Sequence, residues 1–415
     1  MHLEKLAVIL VAPNVSEQMG GEAMKAIQIF EEVQKIVPNT LQITHARNRA
    51  ELSRHALAAN VLFITDDQFD KLLWKSVALR FVMTTWFSYR AVKLAEQTAD
   101  ERFAGMHVVI HQTEPNSPVA PRAISARFMN VFGPINGNIY YPPMFRRHES
   151  TSARLRRILH IPLQRLNRLI SRGLPRADLI LVAGGERTIQ SLRAAGVQPS
   201  RMVETVDCGI PDGQFGRTRL VQIGENKRFI HFGRLVFHKC TFLIIEALAK
   251  STADVCLDIV GRGPELERCE KLVRELGLND RVKFLGWYSD RSDLARSLLQ
   301  YRGMVLPSIE DANGIVVQEA MAAGLVPICL DWGGPQLLIE NGVSGVLIEP
   351  RNRAQITTEL AQHMDRLAID GSMADLMSQA AQARACQWRW GTVVQEWVRL
   401  YIDGPKGSTL PSNRP

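Results

Sequence analysis

The sequence predicts an α/β protein built from two doubly wound domains in tandem. Short apolar runs of strand length alternate with amphipathic helical segments, the alternation is interrupted by a stretch rich in Gly, Pro and charge at 209–227, and it then restarts. With 415 residues, 46% of them hydrophobic and 22% charged, the chain is long enough for two complete cores. Continuous apolar strands between helices are typical of parallel sheets covered on both faces. We therefore expect the ligand site in a cleft between the two domains.

Six apolar runs in the first half predict strands. They are Leu6–Ala12, Val61–Thr65, Phe81–Thr84, His107–His111, Asn130–Phe132 and Leu179–Ala183. Amphipathic spacing predicts helices over Met24–Ile36 and Asp67–Ala78. A Gly-Gly loop and a helix follow the first run, so we interpret that run as a buried strand rather than as the core of a signal peptide.

The same pattern returns after residue 227. Predicted strands are Phe229–Phe232, Cys256–Val260, Val282–Leu285, Met304–Leu306, Pro327–Leu330 and Gly345–Ile348, and predicted helices include Phe242–Lys250 and Pro264–Leu276. We place the first domain at 1–212, the second at 213–390 and a C-terminal helix at 391–403. The tail at 404–415 is rich in Gly, Pro and Ser, which predicts disorder.

Composition narrows the function classes. The formal net charge of +8 suits a phosphate-bearing ligand or an anionic membrane surface. None of the six cysteines forms a Cys-x-x-Cys pair, which argues against a disulfide scaffold or a zinc site and favours a reducing cytosol. No apolar stretch approaches the roughly 20 residues that span a bilayer. We expect a cytoplasmic protein.

The segment 307–324 is the most informative part of the chain. It follows an apolar run and carries two acids, Asp311 and Glu319, around Gly314 and the start of a helix. A carboxylate at a strand end, followed by the amides of a helix N-terminus, can hold a sugar hydroxyl and a phosphate together. Taken singly, Asp311 is typical of a helix N-cap and Glu319 of an ordinary helix acid. The order strand, acid, glycine, helix favours a ligand site.

A basic loop follows the first strand of the second half. Arg234 offers a planar fork for two phosphate oxygens and Lys239 offers a point charge, although a solvated basic turn fits the same residues. Further on, Gly261-Arg-Gly263 does not complete a dinucleotide fingerprint, because Leu266 stands where the third glycine is needed. A tight strand-to-helix turn is the structural alternative there.

The first half holds weaker candidates. Gly20 and Gly21 follow the first strand, where glycine lets a ligand approach the backbone, although a plain turn fits equally well. His111 ends a strand and is either catalytic or structural. It forms no metal site with His107, since four residues of strand separate the two by about 13 Å.

The segment from Arg146 to Arg176 is strongly basic. It carries nine arginines against one acid, Glu149. Apolar residues interleave with them at helical spacing, namely Leu155, Ile158, Leu159, Leu166, Leu169 and Ile170. Such a helix can lie on an anionic membrane, or it can pack on the sheet with its charges in solvent. No nucleic-acid-binding module is present, so no nucleic-acid partner is expected.

These motifs resemble those of family 4 glycosyltransferases. The family's donor site has an acid, seven residues and a glutamate, which is the spacing of Asp311 and Glu319. It also has Gly-Arg-Leu followed after a short gap by lysine, as in 233–239, and a segment similar to Val260–Pro264. The resemblance covers nearly the whole chain and is closest from 229 to 350. It implies a GT-B fold in which the C-terminal helix returns to the first domain.

The resemblance also implies roles for individual residues. Arg234, Lys239 and the loop at Gly314 and Ile315 would bind the donor diphosphate, Glu319 the ribose, and Asp311 the transferred sugar. The family's first acid is usually Glu, so the neighbouring Glu310 is the alternative to Asp311. His111 would act beside the sugar. Loops near the donor would include Gly20, Gly21, Gly233, Gly261 and Asn313, and the acceptor side would include Asn116, Ser117 and Asn136.

The implied activity is retaining transfer of a sugar from a nucleotide diphosphate sugar to an acceptor hydroxyl, with no metal or other cofactor. The acceptor would be a carbohydrate or a lipid-linked oligosaccharide of polysaccharide or cell-surface glycan synthesis, used at the inner face of the membrane. Three alternatives remain open from the residues. They are another enzyme on the same fold, such as a sugar-nucleotide epimerase or a phosphorylase; a non-catalytic scaffold; and a nicotinamide oxidoreductase, which the incomplete fingerprint disfavours.

Overall fold

The computed structural model describes residues 3–19, 21–70, 80–170, 173–213, 215, 227–288 and 290–405. The chain divides into two compact units. Unit 1 comprises Met1–Asn138, Leu155–Cys208 and Trp390–Pro415, and unit 2 comprises Ile139–Arg154 and Gly209–Arg389. Residues 139–154, which the sequence assigns to the first domain, group with unit 2 because Phe145 lies in that unit's core.

Unit 1 is built on a seven-stranded parallel sheet in the order β3-β2-β1-β4-β5-β6-β7. The strands are β1 Leu6–Val11, β2 Thr40–His45, β3 Val61–Ile64, β4 His107–Gln112, β5 Met129–Ile135, β6 Leu179–Val182 and β7 Met202–Glu204. Every residue of β1 is buried, which explains its continuous apolar sequence. The strand order reverses between β1 and β4, so the ends of these two strands flank a topological switch point.

Helices cover the sheet of unit 1. They are Gly21–Ile36, Arg49–Leu52, Arg80–Arg102, Thr151–Ile170, Gly173–Arg176, Gly185–Ala194 and Trp390–Asp403. The last of these is the C-terminal helix, which belongs to unit 1 and buries Trp390, Trp397 and Tyr401 there. Its return to the first unit agrees with the predicted fold.

Two sequence-based assignments in unit 1 are not confirmed: one is wrong, and most of the other lies outside the described residues. The predicted strand Phe81–Thr84 is wrong, because it lies within the helix Arg80–Arg102. A short apolar run cannot distinguish a strand from a buried helix, whereas Phe87, Ala91, Ala95 and Ala99 recur every four residues and pack into the core. Most of the predicted helix Asp67–Ala78, from residue 71 onward, lies outside the described residues.

Strands β2 and β7 were not predicted. β2 has the polar sequence Thr-Leu-Gln-Ile-Thr-His, yet Gln42 and Thr44 are fully buried between β1 and β3. The Gln42 amide donates to the carbonyl oxygen of Ile43 at 2.9 Å, which offsets the loss of water. A hydrogen-bonded polar side chain can therefore occupy a central strand that hydropathy does not reveal.

Unit 2 is built on a six-stranded parallel sheet in the order β10-β9-β8-β11-β12-β13. The strands are β8 Arg228–Phe232, β9 Cys256–Val260, β10 Val282–Gly286, β11 Gly303–Leu306, β12 Val326–Leu330 and β13 Val346–Ile348. All six predicted strands of this half are confirmed to within a residue or two. Here the order reverses between β8 and β11, which places a second switch point at their carboxyl ends.

The helices of unit 2 are Thr241–Lys250, Leu266–Glu275, Arg291–Leu298, Ile315–Ala322, Pro335–Leu338, Arg353–Ile369 and Gly371–Ala385. The core lies between the sheet and these helices and is mostly aliphatic. Buried His231 ties β8 to its neighbour. Its Nδ1–H donates to the carbonyl oxygen of Val305 at 2.9 Å, and its Nε2 accepts from the Thr241 hydroxyl at 3.0 Å.

A leucine pair tests the packing of the C-terminal helix. Leu400 is fully buried in unit 1, whereas Leu376 of unit 2 is 68% exposed. Leu400→Ala removes buried methyl groups and leaves a cavity, so we expect it to lower the free energy of unfolding by about 2–5 kcal/mol, against about 0.5 kcal/mol or less for Leu376→Ala. Denaturant unfolding of both variants measures the difference. Equal effects would contradict the burial of this helix in the core.

Candidate functional site

The basic loop and the acidic segment of unit 2 meet at the β8/β11 switch point. β8 and β11 are hydrogen-bonded neighbours, and the loops that follow them run side by side. The Ile309 amide donates to the carbonyl oxygen of His238 at 2.9 Å, and the Ser308 hydroxyl donates to the same oxygen at 3.1 Å. Two motifs about 70 residues apart in sequence thus form one rigid surface.

Lys239 and Asp311 form a close ion pair within this surface. Lys239 Nζ lies 2.5 Å from Asp311 Oδ2, and Asp311 Oδ1 accepts a hydrogen bond from the Gly314 amide at 2.9 Å. Both side chains are largely shielded from solvent, which strengthens the attraction. Asp311 therefore holds the lysine and, at the same time, the turn that leads into the helix Ile315–Ala322.

Glycine is required at the start of that helix. Gly314 has a left-handed backbone with φ of 61°, and a Cβ there would come within 2.8 Å of Leu338 Cδ1. The first amides of a helix have no acceptor within the helix itself. The Gly314 amide, which the sequence assigns to the donor phosphate, already donates to Asp311, and the Val317 amide donates to the Gly314 carbonyl at 2.8 Å, so the amides offered to a ligand are those of Ile315 and Val316.

The other glycines of the site pack loop against loop. A Cβ on Gly261 would lie 2.0 Å from the carbonyl oxygen of Gly233, so Gly261 provides close contact with another protein loop. Gly333 and Gly334 have the same function beneath the acidic loop and were not predicted. The Gly334 amide donates to the Asp311 carbonyl at 2.7 Å, and a Cβ on Gly333 would lie 2.6 Å from that oxygen. The sequence Gly333-Gly334-Pro335 after β12 is typical of a tight turn and could have indicated this loop contact.

The remaining acids of unit 2 lie in different environments. Glu319 is buried in its helix and forms an ion pair with Arg291, a residue that the sequence did not single out. Glu310 is exposed, and its carboxylate lies 4.0 Å from His238 Nδ1. Asn313 is half-buried in the same loop, whereas Arg234 is exposed at the edge of the basic loop. The arrangement offers two cations, helix amides and three carboxylates at one sheet edge.

His111 occupies the core of unit 1. Burial lowers its pKa to about 4, so the ring is neutral. Its Nε2–H donates to the carbonyl oxygen of Gly133 at 2.7 Å, and its Nδ1 accepts from the Tyr401 hydroxyl at 2.7 Å. With both nitrogens bonded inside the protein, His111 holds the C-terminal helix to the sheet. The structure does not bring it to a ligand-accessible surface.

The acceptor-side residues belong to two loops that are joined to each other. The Asn136 amide donates to the carbonyl oxygen of Asn116 at 2.9 Å, and the Asn136 side-chain oxygen accepts from Arg187 at 3.1 Å. Ser117 accepts from the Val119 amide at 3.3 Å, which closes a local turn. Gly21 begins a helix, and a Cβ there would meet no atom within 4 Å. Gly20 lies outside the described residues.

Glu114 is a candidate that the sequence reasoning missed. It follows β4, is only 4% exposed, and has a pKa raised to about 7 by burial and by the neighbouring Glu22. Buried Arg122 supports its loop by donating to the carbonyl oxygens of Pro115, Ser117 and Ala120. The sequence alone does not show that Glu114 is buried, and therefore did not identify it.

One group in the described part of the chain has the composition of a metal site. Ligand atoms of Glu17, Glu31 and His55 lie within 4.8 Å of one another in unit 1. Glu17 is exposed, and His55 already contacts Glu31 at 3.1 Å. Such a cluster does not by itself indicate a metal, so the expectation of a metal-free site stays a prediction.

The sequence of unit 2 matches a known family pattern. Residues 217–384 match the family model described as "Glycosyl transferases group 1". The chain is 26% identical over 248 residues to N-acetyl-alpha-D-glucosaminyl L-malate synthase of Bacillus anthracis, covering 57% of this chain and 63% of that protein. It is 28% identical over 238 residues to D-inositol 3-phosphate glycosyltransferase of Mycobacterium marinum, covering 54% and 50%. The matches thus span less than two thirds of either relative.

The fold has close counterparts among solved structures. The Anabaena protein Alr3699/HepE, solved in complex with UDP, is 20% identical and superimposes with a TM-score of 0.65 over 95% of this chain and 99% of its own. The same protein has been solved with UDP-glucose. Sucrose-phosphate synthase from Thermosynechococcus elongatus superimposes with a TM-score of 0.62 over 97% and 100%. The predicted fold class, two Rossmann-like units of the GT-B type, is confirmed.

The Glu114 environment predicts a pH-dependent stability. A carboxyl whose pKa rises from its ordinary 4.5 to about 7 on folding favours the folded state below pH 4.5, and this contribution is lost as the pH rises through 7. Glu114→Gln should therefore abolish up to about 3 kcal/mol of the decrease in stability between about pH 5 and pH 8. Thermal unfolding at both pH values measures it, with exposed Glu101→Gln as the matched control. An unchanged pH profile would contradict the raised pKa.

Proposed function

We propose that the chain is a retaining glycosyltransferase that moves a sugar from a nucleotide diphosphate sugar to a hydroxyl of a carbohydrate acceptor. The observation that carries the proposal is the union of the basic loop and the acidic segment at the β8/β11 switch point. Cations and helix amides at this edge suit a diphosphate, and carboxylates beside them suit hydroxyl groups. The group 1 match in 217–384 supports the same activity.

The basic side of the site would bind the diphosphate. Lys239 donates one of its three ammonium hydrogens to Asp311, so two are left to donate to phosphate oxygens. The Arg234 fork and the amides of Ile315 and Val316 would add bonds that strengthen as negative charge develops on the leaving group. These groups would compensate the charge of the leaving diphosphate, and we propose that no metal or other cofactor takes part.

The carboxylates would hold the two sugars of the donor. Glu319 would accept hydrogen bonds from the ribose hydroxyls, with Arg291 sharing its charge. Both oxygens of Asp311 already accept bonds from Lys239 and Gly314, so Asp311 organises the site. Exposed Glu310 beside it is the alternative group for contact with the transferred sugar.

Retention would follow from attack on the face that the leaving group vacates. The acceptor oxygen forms its bond to the anomeric carbon while the bond from that carbon to the diphosphate breaks, and the acceptor proton passes to the leaving phosphate oxygen. No protein nucleophile is needed. His111 is not the base, because both its ring nitrogens are bonded in the core. Production of free nucleotide diphosphate only when acceptor is supplied would separate this reaction from epimerisation.

The basic helix Thr151–Ile170 favours a membrane-bound acceptor. Gln164 packs inward, donating to the Pro118 carbonyl at 2.7 Å and to the Ser191 hydroxyl at 2.9 Å. At about 100° per residue the apolar stripe lies on the opposite side. Its members are exposed, with Leu169 at 76%, and comprise Leu155, Ile158, Leu159, Leu163, Leu166 and Leu169.

An apolar stripe that faces solvent between arginines suits the headgroup region of an anionic bilayer. The alternative, in which the apolar side packs on the protein, does not fit, because the polar side makes the contacts with the loop at 118–119 and with the helix Gly185–Ala194. No helix in the described part of the chain is long and apolar enough to cross a membrane. We propose peripheral association through this helix, in synthesis of a polysaccharide or cell-surface glycan.

The donor site is tested by nucleotide binding. Arg234→Ala and Lys239→Ala should each weaken binding of UDP by about tenfold or more, the loss of a charge-assisted contact. Isothermal calorimetry measures the affinity, and Lys271→Ala, which removes an exposed lysine of unit 2, is the control. Arg234→Ala is the cleaner variant, because Lys239→Ala also leaves Asp311 unpaired. Wild-type affinity in both variants would reject the proposed diphosphate site.

The membrane surface is tested with vesicles. Wild-type protein should co-sediment with phosphatidylglycerol vesicles at low salt, bind less at high salt, and bind zwitterionic vesicles weakly. A double Leu166→Ser and Leu169→Ser variant should lose most of this binding, whereas Leu376→Ser should keep it. Failure of the wild-type protein to sediment at low salt would indicate that a protein partner, rather than a bilayer, covers the stripe.

A further inference from the structure

His238 is a titratable side chain that lies where the two loops of unit 2 join. It belongs to the short 3-10 turn Phe237–Lys239 that follows β8, and it directly precedes Lys239. Its carbonyl oxygen accepts hydrogen bonds from the Ile309 amide at 2.9 Å and from the Ser308 hydroxyl at 3.1 Å, which fixes its backbone to the loop after β11. The imidazole is therefore anchored beside the surface on which the diphosphate is proposed to bind.

The imidazole of His238 is surrounded by charged side chains of both loops. Its Nδ1 lies 4.0 Å from Glu310 Oε2, and the side chain is 32% exposed. Burial lowers the pKa of His238, the charges of Lys239 and Arg234 lower it further, and Asp311 raises it. Without a ligand, the ring is therefore mainly neutral at neutral pH.

The segment 139–154 adds two titratable side chains on the other flank of the turn Phe237–Lys239. The rings of His148 and Tyr141 lie 4.8 Å and 6.4 Å from the ring of Phe237. Burial and the charge of Glu310 raise the pKa of Tyr141, so its hydroxyl stays neutral. The charged and titratable groups that the described residues place around this turn are Arg234, Lys239, Glu310, Asp311, Tyr141 and His148.

A bound diphosphate would reverse the balance of charge at this ring. In the free protein, Lys239 and Arg234 oppose protonation of His238. A diphosphate held by these two residues would neutralise their charges and bring negative charges of its own. An anion within about 4–6 Å of an imidazole favours its charged form. Diphosphate binding and protonation of His238 would therefore favour each other.

We propose that His238 is a third cation of the donor site, one that forms by uptake of a proton when the diphosphate binds. The imidazolium donates a hydrogen bond to a phosphate oxygen, and this bond strengthens as negative charge develops on the leaving phosphate. The inference rests on the proposed glycosyl transfer. The proton comes from solvent, so the affinity for the nucleotide falls as the pH rises from the pKa of His238 in the free protein to its pKa in the complex.

The first test measures UDP binding to the full chain by calorimetry at about pH 5.5 and about pH 8.5, on either side of the ordinary titration range of histidine. His238→Asn should bind UDP about tenfold more weakly than wild type at the lower pH and equally at the higher pH, since a rise of one unit in a pKa corresponds to a tenfold change. Comparison with wild type at each pH cancels the ionisation of UDP itself. His238→Arg carries a permanent charge and should bind tightly at both pH values.

The second test measures the protonation of His238 directly. NMR of protein labelled with carbon-13 at the histidine Cε1 atoms gives the pKa of each ring, and the His238 signal is the one lost in His238→Asn. The pKa of His238 should rise by about one unit when UDP is added. His363→Asn is the matched control, because burial also lowers the pKa of His363 but its charged neighbours are Glu359 and Arg366. It should bind UDP as wild type does at both pH values.

Two results would overturn the inference. One is a pKa of His238 that bound UDP leaves unchanged, and the other is a His238→Asn variant that binds UDP like wild type at both pH values. Loss of the pH dependence in His148→Asn but not in His238→Asn would assign the proton to the neighbouring histidine and would also overturn it. Circular dichroism checks that each variant is folded. Failure of wild-type protein to bind UDP at either pH would instead remove the proposed function itself.

Discussion

The ion pair between Lys239 and Asp311 is the contact on which the proposed donor site in unit 2 depends. It joins the loop after β8 to the loop after β11, and the same aspartate fixes the turn that opens the helix Ile315–Ala322. A lysine held at 2.5 Å from a shielded carboxylate keeps its position before a ligand arrives, so little ordering is left for binding. The glycines at 261, 333 and 334 also support these loops, since each lets one loop approach another closely.

The sequence predicted unit 2 closely because its signals are local and strong there. Each strand is a short run rich in apolar residues, and the motif spacing places the acids and cations on known elements. Unit 1 was harder. Phe81–Thr84 looks like a strand over four residues and becomes a helix only when the four-residue period to Ala99 is considered. β2 was not predicted because its buried polar residues Gln42 and Thr44 interrupt the apolar pattern.

The candidate site residues also differ in how well the sequence predicts them. Arg234, Lys239, Asp311 and Glu319 could be selected by residue type and spacing. The environments of His111 and Glu114 could not be predicted from residue type and spacing, because they depend on burial and on partners distant in sequence. His111 meets Tyr401, 290 residues later, and becomes part of the core. Glu114 is buried beside Asn14 and Glu22, and burial raises its pKa. Likewise, only the inward hydrogen bonds of Gln164 reveal that the apolar stripe of the basic helix faces outward.

A crystal structure of the protein soaked with UDP would show whether a nucleotide diphosphate binds where the β8 and β11 loops join. We expect the β-phosphate within hydrogen-bond distance of Lys239 Nζ and the Arg234 guanidinium, at the start of the helix Ile315–Ala322, with the ribose on Glu319. A UDP molecule bound elsewhere, or one whose phosphates point away from Lys239 while the Lys239–Asp311 pair stays intact, would contradict it.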